Sequence, residues 1–171
     1  MLLKKRKGVN LNRKRVLVVV SYHHNNTKKI ANVFAKFLDA QIKSPQEINP
    51  DRLQEYDVIG FGSGIYSAKH HESLLELADK LPKTKDKKVF LFSTAALTNE
   101  KKIIKDHSTL KEKFESKGYI IIDDFQCKGV NTNSFLKYFG GMNKGRPNTQ
   151  DFKHAEEFAK CLKRYTQKSV F

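Results

Sequence analysis

The alternation of short apolar runs with segments of helical period restricts the fold of this chain most. Residues 15–21 (RVLVVVS) are apolar and mostly β-branched, as in a strand covered on both faces, and residues 27–40 repeat apolar side chains along one helix face. Further strands are expected at residues 40–43, 57–61, 88–93 and 119–125, and further helices at 74–81, 103–114 and 148–162. Strands and helices thus alternate about five times, which predicts an α/β fold, a doubly wound parallel sheet with helices on both faces.

The charge is strongly positive and unevenly distributed. The chain has 171 residues and a net charge of +15, and residues 1–15 hold seven lysines and arginines and no acid. We expect residues 1–14 to be a flexible basic tail and residues 15–171 to be a single domain. The electric field of such a positive charge favours anionic partners, but it does not indicate which kind. A solvated lysine-rich surface without a partner is the plainer interpretation.

Several classes of protein are excluded by composition. No apolar run approaches the roughly 20 residues of a membrane helix, so we expect no membrane span. Two cysteines cannot form a disulfide framework or a four-thiolate zinc site, and reduced thiols in the cytoplasm are the simplest interpretation.

The loop after the first strand is the first candidate site. In doubly wound sheets, ligands bind beyond the carboxyl ends of the strands, at the switch point of strand order. The start of the following helix offers backbone N–H groups and a partial positive charge, which suit a phosphate. Alternatively, Asn26 or Thr27 merely caps the helix.

Two further loops follow later strands. Residues 62–71 combine glycines, which allow a close backbone approach to a flat ligand, with Tyr66, whose ring can stack on a heterocycle. Residues 93–98 end a buried strand with hydroxyls that can bond a polar ring edge or a ribityl chain. A glycine-rich turn and a helix cap are the respective alternatives.

Other ligand motifs are absent or incomplete. Gly60, Gly62 and Gly64 do not complete a dinucleotide fingerprint, and Arg146-Pro147 stands where a nucleotide P-loop needs Lys-Ser/Thr. The doubled histidines at 23–24 and 70–71 are adjacent residues in loops, which rarely point the same way, so no metal site is predicted.

Taken together, these loops resemble those of the flavodoxin family over residues 15–162. The resemblance lies in residues 21–27, in residues 56–66 (YDVIGFGSGIY), and in residues 140–148 followed by Asp151. Tyr66 with residues 69–71 is also similar to flavodoxin-type protoporphyrinogen oxidases. The family commonly has glycine at the position of Asn25, and asparagine tolerates the left-handed backbone that such a turn needs.

The resemblance implies a five-stranded sheet in the order 2-1-3-4-5 and one non-covalently bound FMN. It implies phosphate contacts by Ser21, His23, His24, Asn25, Asn26 and Thr27. It implies ring contacts by Ser63, Gly64, Ile65 and Tyr66, and third-loop contacts by Ser93, Thr94 and Ala95.

Three functions follow as hypotheses. The first is an electron-transfer flavoprotein whose redox partner proteins carry an acidic surface. The second is an FMN-dependent oxidoreductase acting on a quinone or porphyrinogen, with a substrate pocket from residues 127–146 in which Phe135, Tyr138 and Phe139 could stack. The third is a basic nucleic-acid-binding domain without flavin, which charge alone supports because no nucleic-acid-binding motif is present.

Overall fold

The computed structural model describes residues 16–21, 25–130 and 141–166. The predicted basic tail, His23, His24 and the three aromatic residues at 135, 138 and 139 lie outside these ranges. The strands are β1 (Val16–Val20), β2 (Gln41–Lys43), β3 (Val58–Tyr66), β4 (Lys69–His70), β5 (Lys87–Ala95) and β6 (Tyr119–Lys128). The helices are α1 (Asn26–Leu38), α2 (Glu72–Lys80), α3 (Glu100–Glu115) and α4 (Thr149–Thr166), with two 3-10 segments at Pro45–Glu47 and Pro50–Glu55. None of the helices in the described ranges is long and apolar enough to cross a membrane.

Five parallel strands form one sheet in the order β2-β1-β3-β5-β6. This confirms the predicted α/β class and, for the parallel strands, the predicted order 2-1-3-4-5. The sixth strand, β4, was not predicted; it has two residues and pairs antiparallel with the end of β3. The chain leaves β1 toward β2 on one side and reaches β3 on the other, so the switch point lies between β1 and β3.

The two faces of the sheet bury separate apolar cores, because successive side chains of a strand point to opposite faces. Val16, Val18 and Val20 of β1 pack with buried residues of α1 and α4. Leu17 and Val19 pack with buried residues of α2 and α3. The apolar run of β1 is uninterrupted because this strand is covered by helices on both sides.

The glycine-rich segment after residue 61 is strand rather than loop, which corrects the prediction. β3 continues through Gly62 and Gly64 to Tyr66. A Cβ atom on Gly60 would lie 2.2 Å from the Phe90 ring, and one on Gly62 would lie 2.2 Å from the Phe92 ring. These two glycines therefore make room for phenylalanines of the neighbouring strand β5, not for a ligand.

Helix α3 also departs from its predicted apolar stripe. Leu110 and Phe114 are buried as expected, but Ile104 is 66% exposed. Asp106 and His107 are fully buried instead. One turn of α3 thus presents polar side chains to the sheet.

The predicted cap of the last helix is confirmed. Asn148 Oδ1 accepts hydrogen bonds from the backbone N–H groups of Gln150 (3.1 Å) and Asp151 (3.2 Å). The Asp151 carboxylate accepts in turn from Asn148 N–H at 2.8 Å, which gives a reciprocal capping box.

Candidate functional site

The three predicted loops meet at the carboxyl edge of the sheet and are tied to one another by hydrogen bonds. Thr27 Oγ1, at the start of α1, lies 2.8 Å from Thr94 Oγ1 at the end of β5. Ser21 Oγ, just after β1, accepts from Ser73 Oγ at 2.9 Å and lies 3.2 Å from His71 Nδ1. The switch point is therefore a single connected region rather than three independent turns.

The loop that leads into α1 is held by its own side chains. Asn25 adopts the left-handed backbone conformation expected from the resemblance (φ 57°, ψ −7°), and its side chain does not cap the helix. Asn26 Nδ2 donates to the Val130 carbonyl at 3.0 Å, and Thr27 is 3% exposed. These side chains brace the loop, so an anion here would be held by first-turn backbone N–H groups.

A two-residue hairpin between β3 and β4 carries Tyr66. Ser67 and Ala68 both have positive φ (49° and 60°), the type I′ pattern that usually selects Asn-Gly. Tyr66 is 38% exposed, and its ring centroid lies 5.5 Å from that of His71 in an edge-to-face arrangement. Left-handed alanine is unfavourable, so contacts outside the turn must hold this hairpin in place.

The end of β5 is buried beside the segment that precedes α4. Ser93, Thr94 and Ala95 belong to the strand and are all less than a tenth exposed. The chain beyond them reaches the surface at Leu97, which is 59% exposed. Asn143, in the third segment of the resemblance, donates through Nδ2 to the Ala96 carbonyl at 2.6 Å. Residues after Ala95 are thus the part of this loop that faces outward.

A row of polar side chains crosses three strands just below this edge. Ser63 of β3 is the register neighbour of Ser93 of β5, and Ser93 is the register neighbour of Gln126 of β6. Both serines are fully buried, and each bonds an imidazole: Ser63 Oγ lies 2.9 Å from His70 Nδ1, and Ser93 Oγ lies 2.8 Å from His107 Nε2. The predicted contacts by Ser63 and Ser93 therefore fall on hydroxyls that already have protein partners.

The two imidazoles contact each other, with ring centroids 4.8 Å apart and planes inclined by 35°. His107 Nδ1 lies 3.3 Å from Asp124 Oδ2, and Lys111 forms an ion pair with the same carboxylate. Gln126 Nε2 donates to both Ser93 Oγ and Asp106 Oδ2 at 3.0 Å, and Lys102 pairs with Asp106. We call this set the histidine cluster: Ser63, His70, Ser93, Lys102, Asp106, His107, Lys111, Asp124 and Gln126.

Burial and charge shift two groups of the cluster. Burial, followed by the neighbouring His107, holds the pKa of His70 well below its ordinary value, so this imidazole is neutral. The hydrogen bond from His107 is the main reason that the pKa of Asp124 falls to about 2, with Lys111 adding to the effect. Asp124 is therefore ionised and orients the His107 ring.

Cys127 is no candidate nucleophile. It is buried at the end of β6, and burial raises the pKa of its thiol to about 12. A thiol in that state is not a reactive thiolate at neutral pH.

The surface around the carboxyl edge carries many lysines. They lie in the first turns of α1 and α3, in the hairpin, at the end of β6 and before α4. We call this set the basic rim: Lys28, Lys29, Lys69, Lys101, Lys128 and Lys144. The rim gives this edge a positive field that attracts anions.

A doubly wound sheet whose parallel strands run in the order 2-1-3-4-5 has the flavodoxin-like arrangement. Residues 17–164 match the flavodoxin domain, and the chain belongs to this family. It is 46% identical over 149 residues to MJ0298 of Methanocaldococcus jannaschii, described as an uncharacterized protein, with 87% of this chain and 97% of the relative covered.

Solved structures share the fold at low sequence identity. Oxidised flavodoxin 2 of Bacillus cereus superposes with a TM-score of 0.67 at 15% identity, covering 88% of this chain and 98% of that one. A flavoprotein of Lactobacillus acidophilus in complex with FMN gives a TM-score of 0.50 at 22% identity, covering 66% and 93%. These likenesses concern the path of the backbone.

The histidine cluster was missed at the sequence level, although a signal was present. His107 falls on the same helical stripe as Ile103, Leu110 and Phe114, at spacings of four, three and four residues. A histidine in such a stripe predicts a buried imidazole, which needs polar partners on the facing strands. Ser93 of β5 and Asp124 of β6 are those partners, and Ser63 bonds the second imidazole, His70.

Proposed function

We propose that this chain binds one FMN non-covalently and transfers electrons through it to and from partner proteins. The observation that most supports this is the joining of the three loops at the switch point, through Thr27 with Thr94 and Ser21 with His71. Membership of the flavodoxin family and the FMN complex of the related fold support the same cofactor.

The residues present fit the phosphate of such a ligand. Asn25 turns the chain into α1 without capping it, which leaves the first-turn N–H groups to an anion. Lys28 and Lys29 add positive charge in the same turn. We expect backbone N–H groups to be the main phosphate donors, with the side chains of Asn26 and Thr27 holding the loop shape.

The ring would be bound by the hairpin and by the loop after β5. Tyr66 and Leu97 are exposed large apolar side chains, one on each of these segments. A flat aromatic ring bound between the two segments would cover the apolar surface of both side chains. When bound, FMN supplies the redox chemistry, and the protein residues bind it, orient it and set the charge around it.

The charge of the surface favours acidic partners. The basic rim surrounds the proposed flavin edge, and the chain as a whole carries +15. Opposite charge on a partner would speed association, and added salt would slow it. We propose redox partner proteins with acidic surfaces on this ground.

The direct test is FMN binding by the purified full-length protein, followed by titration calorimetry and by absorbance after desalting. We expect about one FMN per chain, and weaker binding of riboflavin, which lacks the phosphate. A protein that leaves the desalting column colourless and gives no binding heat would reject the proposal. Salt-sensitive RNA binding by that colourless protein would favour the nucleic-acid alternative.

Steady-state assays separate a carrier from an enzyme. A carrier should be reduced and reoxidised with protein partners and show little turnover with a quinone or porphyrinogen alone. Sustained turnover of either small molecule would favour the oxidoreductase alternative.

A further inference from the structure

The hairpin that carries Tyr66 has little intrinsic stability. Only two residue pairs join β4 to β3, Ile65 with His70 and Tyr66 with Lys69. Its two turn residues, Ser67 and Ala68, are left-handed without being glycine. A hairpin this short with this turn is not stable by itself, so side-chain contacts must fix it.

His70 is the side chain that anchors the hairpin from inside. It is 2% exposed, bonds Ser63 through Nδ1, and packs on the His107 ring of α3. Ser63 Oγ also accepts from the backbone N–H of His71 at 2.9 Å, so one hydroxyl holds both histidines, His70 and His71. His107 is itself fixed by Ser93 and Asp124.

The hydrogen bonds assign one proton to His70. Ser63 donates its hydroxyl proton to the Gly64 carbonyl at 2.7 Å, so His70 Nδ1–H donates to Ser63 Oγ. His70 Nε2 then carries a lone pair, is buried, and has no hydrogen-bond partner among the described residues. Protonation would place a cation and a second donor at Nε2, where nothing described accepts it.

The surroundings of His70 do not compensate such a charge. The charged and titratable residues around His70 come from its own segment, from α3 and from β6. They are Lys69, His71, Lys102, Asp106, His107, Lys111 and Asp124. Lys102 already pairs with Asp106, and Lys111 already pairs with Asp124. The nearest ring, His107, is bound at both nitrogens and offers no acceptor to His70.

We propose that His70 is a positioning residue for the flavin: its neutral imidazole locks the β3–β4 hairpin, and with it Tyr66, against the sheet, and acid releases the lock. This rests on the flavin function proposed above. A released imidazole is solvated and takes up a proton near pH 6.5. Opening of the hairpin is therefore linked to proton uptake and becomes more favourable as the pH falls below that value.

Hydrogen exchange of the flavin-free, full-length protein tests the lock directly. After correction for intrinsic exchange rates, protection of the amides of residues 65–71 should fall about tenfold per pH unit below about pH 6.5. His70→Asn keeps a polar group close to the Nδ1 position and cannot be protonated, so its protection should not change with pH. His154→Asn, on the exposed face of α4, is the matched control and should behave as the unaltered chain. Equal pH dependence in His70→Asn and the unaltered chain would overturn the proposal.

FMN affinity tests the positioning role. At neutral pH, His70→Ala should bind FMN roughly tenfold more weakly, the loss typical of one buried hydrogen bond, while His70→Asn restores most of the affinity. Undiminished affinity in His70→Ala would also overturn the proposal. If the unaltered chain bound no FMN, the flavin function would fail, whereas the exchange experiment would still report on the lock.

Discussion

The two faces of the sheet are built from alternate residues of the same strands, yet they end differently at the carboxyl edge. On the α1/α4 face the core remains aromatic up to Phe92 and Phe125. On the α2/α3 face the apolar core stops one residue earlier, at Phe61 and Leu91, and the histidine cluster follows. One face gives stability up to the strand ends, and the other gives hydrogen bonds that fix the direction of the loops.

Helix α1 shows what the apolar face contributes. The Phe34 ring meets Phe90, Phe92 and Phe125 edge to face, with centroids 5.1–5.6 Å apart. Such contacts are dense but have little directional preference compared with hydrogen bonds. The polar face carries fewer apolar contacts at this level and more hydrogen bonds from the histidine cluster, whereas on the apolar face the Thr27 and Thr94 hydroxyls tie the loops together.

Removing Phe34 should give the largest effect on stability. Phe34→Ala should lower the free energy of unfolding by about 3–5 kcal/mol, because the ring is fully buried among phenylalanines. Urea unfolding followed by circular dichroism measures this. Ile104→Ala, at a position that is 66% exposed on the other face, is the control and should change stability by less than about 0.5 kcal/mol. Comparable losses in both variants would break the contrast between the faces.

A smaller loss should follow from adding one carbon to Gly62. Its Cβ would lie 2.2 Å from the Phe92 ring, which is buried and cannot swing away. Gly62→Ala should cost about 1–3 kcal/mol, and the double variant with Phe92→Leu should recover part of the loss. Gly64→Ala is the matched control, since the atoms nearest to its Cβ would belong to the partly exposed Tyr66 ring, at 3.1 Å. No recovery in the double variant would mean that the glycine serves something other than the aromatic packing.

The glycines also show where sequence reasoning reached its limit. The spacing of apolar residues along the chain predicts the parallel strands and the helices. A strand repeats every two residues and a helix every 3.6, and these repeats do not depend on which element packs opposite. A glycine that yields space to a ring on another strand cannot be told from a glycine in a loop until the register is known. For this reason the sequence predicts a loop at residues 62–66 and does not predict β4.

The sequence predicts which loops form the candidate site, but not the direction of most of the side chains in them. That Ser21, Thr27, Ser63 and Thr94 would come together follows from parallel topology alone. The direction of each side chain depends on pairings such as Thr27 with Thr94, which join residues 67 positions apart. Whether His23 and His24 contribute lies outside the described residues.

Loss of the Asp124 carboxylate should affect the polar face in a pH-dependent way. At neutral pH, Asp124→Asn should lower stability by about 1–2 kcal/mol, because it weakens the bonds to His107 and Lys111. The folded pKa of Asp124 is about 2, below its ordinary value of 3.8, so its contribution is complete above about pH 4 and disappears as the pH falls toward 2. Urea unfolding across this range should show the two proteins converge. Asp123→Asn is the control, and a difference between Asp124→Asn and the unaltered chain that does not change with pH would contradict the assignment.

The smallest expected effect is a loss of FMN affinity with little change in the free energy of unfolding. It separates residues that position a ligand from residues that pack the core. Tyr66 is 38% exposed, so Tyr66→Ala should leave urea unfolding nearly unchanged while weakening FMN binding by about 0.5–1.5 kcal/mol through lost ring stacking. Thr27→Ala should weaken FMN binding more than riboflavin binding, because it loosens the loop that would hold the phosphate. Flavin fluorescence quenching measures both ligands. Unchanged affinities in both variants would place the flavin elsewhere on the molecule.

A loss of FMN affinity in Tyr66→Ala alone would keep the hairpin as the binding element and remove the start of α1 from the site.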